Sequence, residues 1–214
     1  MNASNVRGVI FDLDGTLIDS YQAIYLGFHY AYSELGLPPL SHGEVEKAIG
    51  LGLSYTFREL LGEERVAQAL TLFRKKYEEV FRAHTHLLPD VRQVVESLRD
   101  RGIQLAVATN KLGRFSRTIL EHFGMDKMFA VILGDGDVSQ NKPDPEMLYL
   151  AMEKMGVGKE ETIFVGDSAI DIQTGRNAGI RVFAVPTGNT DQEDLAKAQP
   201  TVILSRLLDL LSLV

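Results

Sequence analysis

The chain has 214 residues, no cysteine, 45% hydrophobic residues and a formal net charge of −7 from 22 basic and 29 acidic side chains. This hydrophobic content supports the packed interior of one large domain, or of a core with a modest insertion. The acidic balance argues against a broad nucleic-acid surface but permits a local basic pocket for a small anion. The lack of cysteine excludes disulfides, thiolate catalysis and cysteine zinc sites.

The N-terminal residues 1–5 are polar, and the apolar run that follows them is too short for a signal-peptide core or a membrane span. We therefore expect a cytoplasmic protein that has neither a membrane partner nor a nucleic-acid partner. The sequence is compatible with a monomer or a homodimer.

The first predicted element is a buried strand over Gly8–Phe11, which the motif Asp-Leu-Asp-Gly-Thr follows directly at positions 12–16. In open α/β sheets, ligands bind beyond the carboxyl ends of the strands, so two acids in this place indicate a site. Asp, Gly and Thr are also ordinary turn residues. Taken alone, the motif is compatible with either interpretation.

The segment from residue 18 to residue 87 is predicted to be helical throughout, because its apolar residues recur at helical spacing and no strand pattern is present. Ser41 with Glu44 three residues later is a capping-box signature. Aromatic stripes along two of these helices are typical of helix packing: Tyr21, Tyr25, Phe28, Tyr32, Phe73, Tyr77 and Phe81. We expect an all-helical cap domain at 18–87, inserted into a core domain of residues 1–17 and 88–214.

Short apolar runs alternate with amphipathic segments in the rest of the chain. Strands are predicted at residues 103–108, 130–133, 162–165 and 181–185. Asp90 is placed to cap the first helix of this region, and Asp144 with Pro145 to begin a later one. Strand-helix-strand units of this length favour parallel pairing with right-handed crossovers. The predicted fold class is therefore α/β, with a Rossmann-like parallel sheet and the inserted helical cap.

Polar side chains follow four of these strands: Asp12 and Asp14, then Thr109 and Asn110, then Lys142, then Asp167. Because parallel strands end at the same edge of a sheet, we expect these residues to converge. Crowded carboxylates need a cation, and their oxygens suit Mg²⁺. Lys142 and Thr109, with backbone N–H groups, would bind a phosphate. The combination indicates phosphoryl transfer to an aspartate nucleophile.

These motifs resemble those of the haloacid dehalogenase superfamily, and within it the phosphoglycolate phosphatase-like group that has a helical cap. The resemblance covers nearly the whole chain and rests on four motifs in the expected order: residues 12–16, 109–111, 142–145 and 166–171. It implies a Mg²⁺-dependent phosphatase that hydrolyses small-metabolite phosphate monoesters, such as 2-phosphoglycolate, through an aspartyl-phosphate.

Matching positions assign roles within this resemblance. Asp12 is implied to be the nucleophile, and Asp14 the general acid and base. The carboxylates of Asp12 and Asp167, with the backbone carbonyl at Asp14, are implied to hold Mg²⁺. Thr109 and Lys142 are implied to stabilise the phosphoryl oxygens.

Two further polar residues each admit two interpretations. Asp171, one helical turn after Asp167, either orients Lys142 or a metal-bound water, or is a helix-start acid favoured by the macrodipole. Asn110 either contacts the phosphate or caps a turn.

The predicted cap contains two candidate substrate contacts. Residues 49–54 resemble the segment that closes over the substrate in phosphoglycolate phosphatases, and Gly50 would let the backbone approach a ligand. Arg58 either pairs with a substrate carboxylate or lies exposed on an ordinary amphipathic helix.

Other reactions compete with this interpretation. The second acid, Asp14, favours phosphate ester hydrolysis over dehalogenation, because dehalogenases of the superfamily lack it. Inorganic pyrophosphate and sugar phosphates are rival substrates. A β-phosphoglucomutase-like phosphotransferase is the alternative enzyme, and a phosphate-binding regulatory protein is the non-enzymatic alternative.

Overall fold

The computed structural model describes residues 5–50 and 52–214, with the backbone alone at positions 47 and 48. The chain forms two compact units. Met1–Asp19 together with Leu87–Val214 is called the core unit, and Ser20–His86 the helical unit.

The described strands are β1 (Gly8–Phe11), β2 (Ile18–Asp19), β3 (His86–Leu87), β4 (Gln104–Leu112), β5 (Val131–Asp135), β6 (Thr162–Gly166), β7 (Arg181–Ala184) and β8 (Val202–Ile203). Six of them form one sheet in the order β5-β4-β1-β6-β7-β8, and every neighbouring pair is parallel. The predicted α/β fold with a parallel sheet is confirmed.

The position of β1 inside this sheet follows from its composition. All four of its residues are buried. An apolar run without polar alternation is typical of a strand that is covered on both faces. Phe11 lies in register with Val107 of β4 and with Val165 of β6. The residues that follow β1 are therefore level with the end of β6 and with the last residues of β4.

The described helices of the helical unit are α1 (Tyr21–Glu34), α2 (His42–Ala48), α3 (Leu53–Leu61) and α4 (Glu63–Val80). Those of the core unit are α5 (Val91–Asp100), α6 (Gly113–His122), α7 (Glu146–Met155), α8 (Ala169–Ala178) and α9 (Gln192–Lys197). Short 3-10 turns occupy Asp126–Met128, Lys159–Glu161 and Leu207–Ser212. Helix α7 begins one residue later than predicted, and the Asp144 carboxylate accepts a hydrogen bond from Glu146 N (2.9 Å).

The prediction that residues 18–87 contain no strand is wrong at both ends of the segment. β2 and β3 have two residues each and pair with one another in a separate sheet. Strands of this length are too short to show an alternating pattern, and their pairing joins residues far apart in the sequence. The two-residue strand β8 was missed for the same reason.

The aromatic stripes of the helical unit are packing surfaces, as predicted. Phe28 of α1, Phe57 of α3 and Phe73 of α4 are each at most 1% exposed. Their ring centroids lie 4.9 to 6.0 Å apart, in tilted and edge-to-face arrangements that aromatic pairs favour. At the start of α2, Glu44 N donates to Ser41 Oγ (3.3 Å) and Ser41 N to Glu44 Oε2 (2.8 Å), which confirms the capping box.

Among the helices of residues 5–50 and 52–214, none combines the length and the apolar character that crossing a membrane requires. Residues 1–4, on which the expectation of a cytoplasmic protein partly rests, lie outside the described residues.

Candidate active site

Asp12 is the first residue after β1, and only 6% of it is exposed. Its N–H donates to Val165 O (2.9 Å), which extends the pairing of β1 with β6 by one residue beyond the strand. Directly after it the chain turns back, because Ile18 N donates to Leu13 O (3.0 Å). The turn holds both carboxylates of the first motif at the carboxyl edge of the sheet.

Lys142 lies between two of the predicted acids. Its Nζ is 2.8 Å from Asp12 Oδ1, in an ion pair without hydrogen-bond geometry, and donates to Asp171 Oδ1 at 2.7 Å. The lysine side chain is 2% exposed. Burial by itself lowers the pKa of Lys142, but the charges of Asp12 and Asp171 more than offset this and raise it above its usual value. The ammonium is therefore a fixed, buried positive charge beside Asp12.

The side-chain amide of Asn110 holds the backbone of Lys142. Asn110 Oδ1 accepts from Lys142 N (2.9 Å), and its Nδ2 donates to Lys142 O (3.1 Å). Asn177 Nδ2 donates to the next carbonyl, Pro143 O (2.8 Å). Thr109 is 2% exposed, and its hydroxyl acts to lower the pKa of Asp12. Strand β4 and helix α8 thus fix the lysine loop from two sides.

Three buried carboxylates, those of Asp12, Asp167 and Asp171, place oxygens within 4.8 Å of one another. Thr16 Oγ1 donates to Asp167 Oδ1 (2.8 Å). On α8, Ser168 Oγ donates to Asp171 Oδ2 (2.5 Å), so this acid caps its own helix and also binds Lys142. Asp171 is therefore an acid at the start of α8 that also contacts Lys142.

Burial raises the pKa of Asp12 to about 6, with Lys142 acting in the opposite direction and Asp171 adding to the rise. Burial also raises the pKa of Asp167 well above its usual value, and the charges of Asp171 and Asp12 raise it further. A divalent cation stabilises the ionised form of buried, crowded carboxylates, and hard oxygen donors are the ligands that such cations prefer. The three acids therefore fit a divalent metal.

The side chain of Asp167 occupies space that is open only because two neighbouring residues are glycines. A Cβ atom at Gly188 would lie 1.7 Å from Asp167 Oδ2, and one at Gly15 would lie 2.5 Å from it. Thr187 Oγ1 donates to Gly15 O (2.6 Å), which joins the loop after β7 to the turn after β1. The second loop was not predicted to belong to the site, because Thr187 and Gly188 read as ordinary loop residues.

The carboxylate of Asp14 is held by Lys111, for which the sequence predicted no role. Lys111 Nζ donates to Asp14 Oδ1 (3.0 Å) and to Oδ2 (2.9 Å). The two side chains are 8% and 15% exposed. The signal that could have revealed Lys111 is its place next to Thr109 and Asn110 in a motif that reaches the same edge of the sheet.

The two predicted cap contacts lie in the helical unit. Gly50 has a φ of +94°, and, apart from its chain neighbours, no atom of the described residues lies within 4 Å of the position a Cβ would take. Arg58 of α3 has a side chain that is 49% exposed, and its guanidinium pairs with the carboxylate of Glu63. Leu51, in the same predicted loop as Gly50, lies outside the described residues.

The family model of haloacid dehalogenase-like hydrolases matches residues 9–185, a span that includes Asp12, Lys142 and Asp171. The chain belongs to the haloacid dehalogenase-like hydrolases. This hydrolase is 33% identical to Phosphoglycolate phosphatase 1 of Pseudomonas aeruginosa, over 96% of its own length and 78% of the relative. It is 32% identical to Phosphoglycolate phosphatase of Vibrio parahaemolyticus, over 100% of its own length and 98% of the relative.

Solved structures agree with this assignment. The hydrolase matches a predicted phosphoglycolate phosphatase from Haemophilus somnus with a TM-score of 0.88 at 29% identity, over 98% of each chain. It matches a haloacid dehalogenase-like family protein from Streptococcus pneumoniae with the same TM-score of 0.88 at 25% identity, over 99% of each chain. The chain is a phosphatase enzyme of this family, and its substrate is a phosphorylated small molecule.

Proposed function

We propose that this phosphatase hydrolyses phosphate monoesters of small metabolites, with 2-phosphoglycolate as the representative substrate, in a Mg²⁺-dependent reaction through an aspartyl-phosphate. The observation that carries the proposal is the setting of Asp12, a buried carboxylate at the end of β1 with Lys142 Nζ 2.8 Å away. A buried cation beside a carboxylate is suited to hold a phosphoryl group against it. The relatives named phosphoglycolate phosphatases support the choice of ester.

We propose that Asp12 and Asp167 hold Mg²⁺ with their carboxylates, that the backbone carbonyl of Asp14 contributes a third ligand, and that Asp171 supports the site. The proximity of the buried carboxylates supports this assignment. When bound, Mg²⁺ would neutralise the crowded acids and the negative charge of the phosphoryl group.

Two steps follow for the residues of the chain. A carboxylate oxygen of Asp12 attacks phosphorus while the ester P–O bond breaks, and Asp14 gives its proton to the leaving oxygen. Asp14 then takes a proton from water, whose oxygen attacks the phosphorus and breaks the P–O bond to Asp12. Inorganic phosphate leaves and Asp12 is regenerated. Lys142 and Thr109 stabilise the phosphoryl oxygens throughout.

The remaining candidate residues act around this centre in our proposal. Asn110 acts on the phosphate site indirectly, because its side-chain amide binds the backbone N–H and carbonyl of Lys142. The helical segment, predicted as residues 18–87, serves as the cap. Gly50 and Arg58 would contact the substrate from it, and Arg58 would exchange its partner Glu63 for a substrate anion.

The test is Mg²⁺-dependent phosphate release from a panel of phosphorylated metabolites that includes 2-phosphoglycolate, pyrophosphate and sugar phosphates, scored by kcat/KM. Asp12→Asn should lower kcat by a factor of about 10³ or more, because the nucleophile is lost. Asp14→Asn should lower it by about 10² to 10⁴, because proton transfer is lost. Asp100→Asn, which changes an exposed acid of α5, is the matched control and should match the wild type.

Each rival function predicts a different result in this panel. Pyrophosphate as the best substrate would replace the ester assignment. Formation of a sugar bisphosphate without phosphate release would identify a phosphotransferase. Wild-type activity in Asp12→Asn would refute the nucleophile assignment.

We also propose that the enzyme works in the cytoplasm, which its cysteine-free composition supports, and that it is a monomer or a homodimer. Fractionation of cells and light scattering of the purified chain would test the two statements.

A further inference from the structure

Lys111 is a cation sequestered at the edge of the sheet beside the proposed proton donor. Its side chain is only 8% exposed, and its Nζ lies 2.9 and 3.0 Å from the two oxygens of Asp14. Lysine normally keeps its ammonium group in water, so enclosure of this charge is unusual for a residue at the end of a strand.

The backbone of Lys111 is fixed as firmly as its side chain. The pairing of β4 with β5 shifts register between Ala108 and Leu112, which redirects the end of the strand. A Cβ at Gly134 would lie 2.3 Å from Lys111 O, so only glycine at this position of β5 allows the two strands to come this close. Lys111 N donates to Thr109 Oγ1 (3.3 Å). The lysine is therefore placed next to the proposed phosphate site.

The two lysines of the site face different acids. Lys142 is paired with Asp12 and Asp171, on the side of the proposed nucleophile, whereas Lys111 is paired with Asp14. A proton donor must lie within hydrogen-bond reach of the leaving oxygen. With about 2.8 Å for that contact, the leaving oxygen lies within about 6 Å of Lys111 Nζ. Lys111 is thus beside the leaving group.

We propose that Lys111 is a specificity-determining residue that binds an anionic group on the leaving alcohol. This inference rests on the proposed function. A carboxylate two bonds beyond the ester oxygen reaches about 3 Å further, which is enough to meet the ammonium of Lys111. The preferred substrates are then phosphate monoesters of short hydroxy acids. Asp14 and the substrate carboxylate share this one cation.

The experiment compares 2-phosphoglycolate with its carboxamide analogue, which has the same shape and no carboxylate charge. Wild-type enzyme should prefer the acid by kcat/KM. Lys111→Gln should lower activity on both esters, because Asp14 loses its partner, but should reduce the preference for the acid by about 10- to 100-fold. Lys111→Arg should retain most of the preference. Lys197→Gln removes an exposed lysine of the core unit and should change neither value.

The outcomes separate the possible roles of Lys111. An equal loss on both esters in Lys111→Gln would show that the lysine serves Asp14 alone and would overturn the proposal. If Lys111→Gln weakened inhibition by inorganic phosphate by the same factor as the preference for the acid, Lys111 would be assigned to the phosphoryl group. This result would also overturn the proposal. A wild-type enzyme that cleaves aryl phosphates but does not prefer the acid would refute this inference only. A wild-type enzyme that cleaves no monoester would refute the proposed function itself.

Discussion

At the scale of single residues, Asn110 shows how a side chain can carry a role that the sequence did not suggest. The two interpretations from the sequence were a phosphate contact and a turn cap. In the structure both ends of its amide bind the backbone of Lys142, 32 residues further along the chain. Only the neighbouring positions of β4 and the loop after β5 create this contact, so local sequence patterns do not contain it.

Asp90 is a residue whose backbone conformation suits glycine better. Its φ is +65°, in the left-handed region, and its side chain makes no cap hydrogen bond to α5, contrary to the capping role expected for it. Asp tolerates this region better than most residues but still pays a steric penalty there. Asp90→Gly should therefore raise the free energy of unfolding by up to about 1 kcal/mol.

The control for this prediction is Asp90→Ala, which keeps a Cβ and should lower the free energy of unfolding by about 1 kcal/mol. Urea denaturation of the three proteins measures both values. Equal stabilities of the glycine and alanine variants would show that the left-handed backbone is not what determines stability at this position.

At the scale of elements, β4 differs from its prediction in a way that matters for the site. The strand was predicted to end at residue 108 but continues to Leu112. Thr109 and Asn110 therefore lie on the strand instead of after it. The polar residues read as a loop, but pairing with β5 resumes at Leu112 after the register shift. Strand ends in a parallel sheet depend on the neighbouring strand, which the local pattern does not reveal.

The packing of α1 against α4 depends on Gly27. A Cβ at this position would lie 2.6 Å from Phe73 Cε2. Gly27→Ala should therefore lower the free energy of unfolding by about 1 to 3 kcal/mol, because overpacking outweighs the gain in helix propensity. The matched control is Gly43→Ala on α2, where, apart from the backbone of α2 and the chain neighbours, no described atom lies within 4 Å of the new Cβ. It should raise the free energy of unfolding by up to about 1 kcal/mol.

Chemical denaturation followed by circular dichroism measures the two glycine variants side by side. Stabilisation by both substitutions would mean that α1 and α4 can separate without cost, which would contradict the close contact at Gly27.

At the scale of the whole molecule, residues from distant parts of the chain bring buried charges to one edge of the sheet. Asp12 and Asp167 are 155 positions apart by their numbers, yet β1 and β6 are neighbours in the sheet. The acids are buried there with raised pKa values, so their ionisation is coupled to folding. Both metal binding and the free energy of unfolding should therefore change with pH, because both depend on the ionisation of these acids.

In the presence of a chelator, stability should fall as the pH rises through the range between the two pKa values of Asp12. Its usual value is 3.8, and burial raises it to about 6 in the folded chain. The folded state therefore binds more protons than the unfolded state in this window, and unfolding becomes easier as the pH increases. The difference corresponds to at most about 3 kcal/mol.

The control is Asp12→Asn, which removes the titrating group. Its stability should fall less steeply than that of the wild type between about pH 4 and about pH 7. Thermal melts with and without Mg²⁺ provide the readout. Mg²⁺ should stabilise the wild type more as the pH rises, because it binds the ionised acids. Parallel pH profiles for the wild type and the variant would contradict the burial of an ionisable Asp12.

The fold class, most strands and helices, and the motifs at the sheet edge could be predicted from local sequence patterns. These features are encoded locally, by apolar periodicity, capping residues and the polar residues that end each buried strand. Which residues contact one another is visible only in the folded chain: Asn110 binds the backbone of Lys142, Lys111 binds Asp14, and Gly188 lies against Asp167. Such contacts depend on strand order and register, which bring together residues that no short stretch of sequence contains.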